Sequence, residues 1–144
     1  MGAVTIREGG AIPQKQAAAL LLALGRDAQV ARLDGQLADV LHNSTFVVSA
    51  WDGAALVGAA RVISNGIAVA LVQHLGVHPT YQGRGIGGDL LRRCLARYGY
   101  TTLVALVDDP ADADFYALCW PVSPSRVICL ALWVQVCQDS VRTE

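Results

Sequence analysis

A glycine-rich stretch near the middle of the chain has the residue types of a phosphate-binding turn. It runs from Gln82 to Gly88, with an apolar run before it and an amphipathic stretch after it. A strand that ends in such a turn and opens a helix presents backbone N–H groups at the helix N-terminus, where the helix dipole also favours negative charge. Glycines allow the close approach of a phosphate because no Cβ blocks it. The stretch is therefore predicted to bind a phosphate, to which Arg84 would add positive charge.

Three phosphate-binding patterns can be compared with this stretch. A Walker loop is excluded because the chain has no Gly-Lys pair. A dinucleotide fingerprint matches formally as Gly83-x-Gly85-x-x-Gly88, and Asp108 and Asp109 follow at about the distance of a ribose-binding acid. Its position argues against it, because two predicted hairpins precede the match and less than half of the chain follows it.

The third pattern, Gln/Arg-x-x-Gly-x-Gly/Ala, is satisfied by residues 82–87. Together with the preceding Leu-Gly-Val-His-Pro of residues 75–79 and with Tyr81, it resembles the acetyl-CoA-binding motif of the GNAT superfamily of N-acetyltransferases. Downstream, Asp114-Phe115-Tyr116 resembles the Phe-Tyr pair that follows the next strand in that superfamily. The resemblance extends from about Thr45 to Cys119. It implies an N-acetyltransferase that passes an acetyl group from acetyl-CoA to a primary amine by direct attack.

The resemblance also implies roles for individual residues. The loop backbone would hold the pyrophosphate of acetyl-CoA, and the strand before it would bulge and pair with the pantetheine arm, for which Gly76 is suited. A backbone N–H near Val77 would hold the oxyanion. Tyr116 would be the catalytic acid that protonates the CoA thiolate, because a phenol with a pKa of about 10 is protonated at neutral pH. The expected cofactor-binding residues are Leu75, Gly76, Val77, Gln82, Gly83, Arg84, Gly85, Ile86, Gly87 and Gly88.

No side chain is an obvious general base for the incoming amine. Gln73 matches the family's usual base position best, but an amide cannot accept the proton. His74 has a suitable pKa, although strand alternation places it on the opposite face. Asp109 belongs to an acidic cluster that either caps the helix predicted after Pro110 or attracts a cationic amine. Gln73, His74 and Asp109 are therefore the candidates for contact with the acceptor, and a water chain is the alternative base.

The elements that must position these residues can be predicted from periodicity and turn signals. Asp52-Gly53 and Asn65-Gly66 are tight-turn pairs that join three strands into a meander before the loop. The predicted fold class is α/β of the α+β type: a GNAT-like mixed, mostly antiparallel central sheet, splayed in the middle, with helices on both faces. Strands are predicted at Val4–Arg7, Thr45–Trp51, Leu56–Ile63, Ile67–Val77, Thr101–Val107 and Arg126–Val136, and helices at Pro13–Leu24, Asp27–Leu41, Asp89–Tyr98 and Ala111–Leu118.

Composition limits the remaining function classes. With 11 basic and 12 acidic residues the net charge is −1, and no basic patch suggests nucleic acid binding. The apolar runs are too short to cross a membrane, and no secretory signal is visible at the start. The four cysteines lack metal-ligand spacing. We therefore expect a single cytoplasmic domain of residues 1–144, with reduced cysteines and no metal.

The chain is unusually apolar, which predicts a partner surface. Hydrophobic residues make up 53% of the sequence and charged residues only 16%. Residues 127–134 are apolar at every position, so a strand there needs cover on both faces. We expect a homodimer formed through this C-terminal strand.

Two alternative functions remain open from the sequence. One is a non-catalytic acyl-CoA-binding or regulatory module of the same fold, because no base is evident. The other is a nucleotide-binding oxidoreductase domain that uses the formal dinucleotide fingerprint. The acceptor, a small-molecule or peptide amine, is not identified by any motif.

Overall fold

The computed structural model describes residues 2–105 and 127–129, and of residues 74, 75 and 127–129 it describes the backbone alone. Within these residues one six-stranded sheet has the strand order β1-β2-β3-β4-β5-β6. The strands are β1 (Val4–Glu8), β2 (Phe46–Asp52), β3 (Ala55–Ser64), β4 (Val69–Val77), β5 (Thr102–Ala105) and β6 (Val127–Cys129). The helices are α1 (Gln14–Ala23), α2 (Asp27–Arg32), α3 (Leu37–His42) and α4 (Ile86–Tyr98), with a 3-10 turn at Pro79–Tyr81.

The first four strands form the predicted antiparallel meander, and β4, β5 and β6 run parallel to one another. Asp52 and Ala55 close the β2–β3 hairpin, where Gly53 has a φ of 57°. The carboxamide oxygen of Asn65 accepts hydrogen bonds from the backbone N–H groups of residues 67, 68 and 69 in the β3–β4 turn. Both turn predictions are confirmed. The doubly wound alternative is wrong, because a doubly wound sheet is mostly parallel.

Helices cover both faces of the sheet, as predicted. Alternation along β2 directs Val48 and Ala50 into a core beneath α4, whereas Val47 and Trp51 pack in a second cluster beneath α1 and α3. The buried face of α4 is the one that its apolar spacing predicts, with Leu90 and Leu91 fully buried. Helix α4 is therefore packed against the strands of the sheet along its buried face.

The helix predicted from Asp27 to Leu41 is instead two short helices, α2 and α3. The helical conformation is interrupted at Gly35, whose φ of 70° is left-handed and incompatible with a continuing helix. Asp27 lies in the first turn of α2 rather than at its N-cap, which is Arg26. The apolar spacing survives the break because Leu33, Leu37 and Leu41 all contact the same cluster. The pattern of apolar positions thus predicted the buried face correctly but not the interruption between α2 and α3.

Several predictions fall partly or wholly outside the described residues. The predicted helix at Ala111–Leu118 and most of the C-terminal strand lie there. The splay would begin on β4 after Val72, whose partner Ala105 is the last described residue of β5. Within the two described ranges, no helix combines the length and apolar character needed to span a bilayer.

Candidate functional site

A β-bulge lies near the C-terminal end of β4. Gly76 pairs with Ala59 and Gln73 pairs with Arg61, so residues 74 and 75 stand opposite a single residue of β3. An extra residue of this kind interrupts the ladder and turns the strand locally. The bulge predicted at this point is therefore confirmed, and Gly76 directly follows it.

Gly76 is needed at this position because of a close contact with α1. A Cβ at residue 76 would overlap Cδ1 of Leu24, the C-cap residue of α1. The missing side chain therefore lets the end of α1 lie directly on the strand after the bulge. This contact joins the end of α1 to the part of β4 that is expected to bind acetyl-CoA.

The polar groups of Val77 face away from β3. The N–H of His78 donates to the carbonyl oxygen of Val57 at 2.8 Å, and Val77 stands opposite Gly58. Because hydrogen-bonded and non-hydrogen-bonded pairs alternate along an antiparallel ladder, Val77 and Gly58 form a non-hydrogen-bonded pair. The N–H and C=O of Val77 therefore point to the other edge of β4, the edge on which the described residues of β5 pair as far as Val72.

The glycine loop continues from this strand end into α4. Gly83 and Gly85 have φ values of 77° and 79°, which side chains rarely adopt, and a Cβ at either position would meet no atom within 4 Å. Gly85 is the N-cap of the 13-residue α4, which begins at Ile86, the first residue of its predicted apolar face. The first N–H groups of a helix have no intrahelical acceptor. The loop is therefore an open glycine turn at a helix N-terminus, the arrangement expected for a phosphate site.

Gln82 fixes the start of the loop to the strand end. Its side-chain Nε2 donates to the carbonyl oxygen of Val77 at 2.9 Å. The 3-10 turn between them is capped by His78, whose Nδ1 accepts from the N–H of Thr80 at 3.2 Å. The loop and the end of β4 therefore form one unit rather than two separate features.

Tyr81 anchors the same loop to the β2–β3 hairpin. Its hydroxyl donates to Oδ2 of Asp52, and this bond raises the pKa of the phenol. The Arg84 guanidinium lies 5.2 Å from the centre of the Tyr81 ring, and its Nη2 donates to the carbonyl oxygen of Thr80 at 3.5 Å. Arg84 thus folds back over the 3-10 turn in this structure.

Gln73 contacts a buried arginine. Its carboxamide oxygen accepts from Nη2 of Arg61, its cross-strand partner, and Nη1 of Arg61 donates to the Ser44 hydroxyl at 3.2 Å. Arg61 is only 8% exposed, and burial lowers its pKa. The amide at the family's usual base position is therefore part of a polar contact that holds Arg61 in place.

The remaining candidate residues cannot be placed in this site. Tyr116 and Asp109 lie outside the described residues, and the side chains of His74 and Leu75 are not described. The structure does bring together the backbones of residues 75–77 and the loop from Gln82 to Gly88. Among the side chains it describes, no cluster of three or more His, Cys, Asp or Glu residues could hold a metal ion.

Sequence reasoning missed three residues of this region. Tyr81 was recognised only as part of a motif, and Asp52 only as a turn residue, because nothing in their spacing reveals a contact across 29 positions. Arg61 was overlooked inside an apolar strand. An arginine in such a strand was itself a signal, because a buried charge needs polar partners.

The sequence profile of the acetyltransferase (GNAT) domain matches residues 42–119, just over half of the chain. The chain belongs to the GNAT acetyltransferase family. No curated protein matches the sequence significantly. Solved GNAT structures share the fold: an acetyltransferase of the family from Streptococcus pneumoniae TIGR4 is 26% identical, with a TM-score of 0.67 over 83% of this chain and 89% of its own.

Two other acetyltransferases of similar structure were solved with acetyl-CoA or CoA bound. A GNAT family acetyltransferase from Brucella melitensis, in complex with acetyl-CoA, is 23% identical, with a TM-score of 0.58 over 78% of this chain and 81% of its own. An aminoglycoside N-acetyltransferase in complex with CoA is 19% identical, with a TM-score of 0.58 over 88% of this chain and 92% of its own. At these identities the likeness shows a shared fold. The oxidoreductase alternative is excluded by the family and by the antiparallel meander.

Proposed function

We propose that this GNAT protein transfers an acetyl group from acetyl-CoA to a primary amine by direct attack. The observation that carries the proposal is the Gln82–Val77 hydrogen bond. It joins an open glycine loop at a helix N-terminus to a strand end whose polar groups face away from β3. One unit of the protein thus offers backbone donors to a pyrophosphate and, beside them, a strand edge with which no described strand pairs after Val72, to an extended pantetheine arm.

Acetyl-CoA binding would use the backbone more than side chains. The N–H groups of residues 83–88 would donate to the pyrophosphate, while the edge of β4 from Leu75 to Val77 would pair with the pantetheine amides. The His78 N–H already donates to Val57. The Val77 N–H, which faces the opposite edge, is therefore the better donor for the thioester carbonyl and for the oxyanion that develops from it.

The chemistry requires two proton movements. A neutral amine attacks the thioester carbonyl, forms the C–N bond and creates an oxyanion. When the C–S bond breaks, the electron pair leaves with the CoA sulfur, and Tyr116 supplies a proton to that thiolate. The amine proton leaves through water or a base outside the described residues. The acceptor would be a small-molecule or peptide amine. Direct attack of this kind uses no metal. We place the reaction in the cytoplasm.

A non-catalytic acyl-CoA-binding module is the second candidate. The observation in its favour is the contact between Gln73 and Arg61, which places an amide where the family usually carries a base. Both candidates bind acetyl-CoA, so only turnover separates them.

The experiment is steady-state kinetics with a panel of primary amines, in which CoA release and the mass of the acetylated amine are both measured. We expect acetylated product, and we expect Tyr116→Phe to lower kcat by about 10²- to 10⁴-fold while acetyl-CoA binding is retained. Tyr100→Phe is the matched control, because Tyr100 is 59% exposed and donates to the carbonyl oxygen of Gly66 at the far end of α4. Acetyl-CoA binding without any acetylated product would favour the non-catalytic module.

A further inference from the structure

An apolar pocket lies between α1, α3 and the sheet, on the face opposite α4. The cavity itself has a volume of about 40 Å³, and it opens into a cleft of about 490 Å³ that is partly solvent-filled. Leu20 and Leu21 of α1, Leu37 of α3 and Leu56 of β3 are among the lining residues. Of the described lining residues, Arg61 alone is not apolar. The proposed acetyl transfer from acetyl-CoA assigns no role to this pocket.

The pocket adjoins the strand segment proposed to hold the thioester. Leu24 lines the pocket and also contacts Gly76. Ala59, another lining residue, is the register partner of Gly76, and Ala60 stands opposite the bulge. A molecule in the pocket would therefore lie within one or two residues of the acetyl position.

The charge of the lining favours one class of amine over another. Arg61 contributes a buried guanidinium at one end, and no described lining residue carries a carboxylate. A polyamine or aminoglycoside would bring several cations into an apolar cleft, where the loss of their hydration opposes binding. A monoamine with a hydrocarbon body would instead gain from burial of its apolar surface.

We propose that the acceptor is a primary monoamine with an apolar body, an alkyl chain or an aromatic ring, and that this body fills the pocket while the amine reaches the bulge of β4. The proposal rests on the proposed acetyltransferase function and specifies its acceptor class. It excludes polyamines and aminoglycosides as preferred acceptors.

The test compares propylamine, butylamine, hexylamine and 2-phenylethylamine with spermidine and kanamycin. We expect kcat/KM to rise about four-fold for each added methylene until the pocket is filled, which is the gain for burying one methylene group. Spermidine and kanamycin should be poorer acceptors than hexylamine. Calorimetric titration of the same amines into CoA-saturated protein gives the same ranking without depending on turnover.

Two adjacent leucines of α1 provide matched variants. Leu21 lines the pocket, whereas Leu22 is 50% exposed and does not. Leu21→Glu should lower kcat/KM for hexylamine by at least about ten-fold, since it removes apolar contact and places a carboxylate in the cleft. The KM for acetyl-CoA should be unchanged, and Leu22→Glu should behave as the parent protein. If Leu21→Glu does not fold, Leu21→Ala should still reduce the dependence on chain length.

The outcomes separate this inference from the proposed function. Normal acetyl-CoA binding with no dependence of rate or affinity on chain length, or with spermidine as the best acceptor, overturns the pocket assignment and leaves the acetyltransferase proposal intact. A loss of hexylamine activity that is equal in Leu21→Glu and Leu22→Glu also overturns it. Failure to bind acetyl-CoA contradicts the proposed function itself, and calorimetric titration of the amines into the protein without CoA then decides whether the pocket recognises apolar chains.

Discussion

Gln82 donates a hydrogen bond from its side-chain Nε2 to the carbonyl oxygen of Val77, at 2.9 Å. This carbonyl is available because Val77 and Gly58 form a non-hydrogen-bonded pair of the β3–β4 ladder. The bond joins the glycine loop to the end of β4, where no described strand pairs with the edge opposite β3 after Val72. The bond therefore helps to hold the loop and the strand end at one spacing, which favours the binding of an extended cofactor by both.

Replacement of Gln82 by alanine should weaken acetyl-CoA binding more than it slows the reaction. A net hydrogen-bond contribution of about 1 kcal/mol predicts a rise of about five-fold in the KM for acetyl-CoA. The value of kcat should change less than two-fold. Steady-state kinetics with varied acetyl-CoA measures both, and Gln36→Ala, at an exposed position between α2 and α3, is the control. An unchanged KM would show that the loop holds its geometry without the side chain.

The contact between Gly76 and Leu24 predicts a coupled effect on stability. Gly76→Ala should cost about 1 kcal/mol, the low end of overpacking, because the overlapping atom is the end of a leucine side chain that can turn. In a Leu24→Ala background this cost should disappear. Chemical denaturation of the two single variants and the double variant measures the coupling.

Gly58→Ala is the control for this comparison of single and double variants. A Cβ at Gly58 would lie 3.2 Å from Cδ1 of Leu90 and 3.3 Å from the carbonyl oxygen of Gly76, and its three nearest atoms do not include one of Leu24. Leu24→Ala should therefore leave its cost unchanged. Equal relief of both glycine variants would mean that Leu24→Ala acts on the whole sheet rather than on the Gly76 contact.

Burial of Cys94 predicts a dependence of stability on alkaline pH. Burial raises the pKa of this thiol from 9.0 to about 12. Between these two values the unfolded chain loses the proton and the folded protein keeps it, so the free energy of unfolding falls as the pH rises, by up to about 1.4 kcal/mol per pH unit. Below pH 8 this contribution is constant.

The measurement for Cys94 is urea unfolding of the parent protein and of Cys94→Ala at pH 7.5, 9.5 and 10.5, values chosen to bracket the ordinary thiol pKa of about 8.5 to 9. The stability of the parent protein should fall faster than that of the variant above pH 9. Because every other titrating group is common to both proteins, their difference isolates this thiol. Parallel curves across the range would contradict the assignment of Cys94 to a dry core.

The framework of the fold was predictable from local sequence signals. The turns at Asp52-Gly53 and Asn65-Gly66 and the apolar stripe of α4 are each defined within a few residues, and the structure confirms all three. The break between α2 and α3 was not predicted, because the apolar spacing continues across Gly35 and only its left-handed backbone reveals the interruption.

The candidate site was predictable in its backbone and not in its side-chain contacts. The bulge before Gly76 and the opening of α4 follow from glycines and motif order. The overlap of Gly76 with Leu24 and the pairing of Arg61 with Gln73 depend on how distant segments pack, and no short pattern encodes such contacts. The pocket beside the bulge is of the same kind, because it is enclosed by two helices and a strand that are far apart in sequence.

We also propose a homodimer that uses the C-terminal strand. Within the described sheet, β6 is the outermost strand on its side, and the sequence around it is apolar from residue 127 to 134. Such a strand needs cover that a second copy can provide. Light scattering at micromolar concentration should give about twice the chain mass of 15.2 kDa, and Trp133→Glu should shift it towards one chain mass. A mass of one chain for the parent protein would rule out the dimer.

Acetyl-CoA binding is the central claim, and a thermal melt tests it most directly. At a concentration about 100 times Kd, acetyl-CoA should stabilise the fold by about 2.7 kcal/mol and raise the Tm by about 5 to 10 °C, with acetyl phosphate as the inactive comparison. Gly85→Val should abolish this shift, because its side chain would fill the open turn at the start of α4. Gly10→Val, at a glycine with a similar φ of 83° in the loop after β1, should keep the shift. A Tm that saturating acetyl-CoA leaves unchanged in the parent protein would contradict the account.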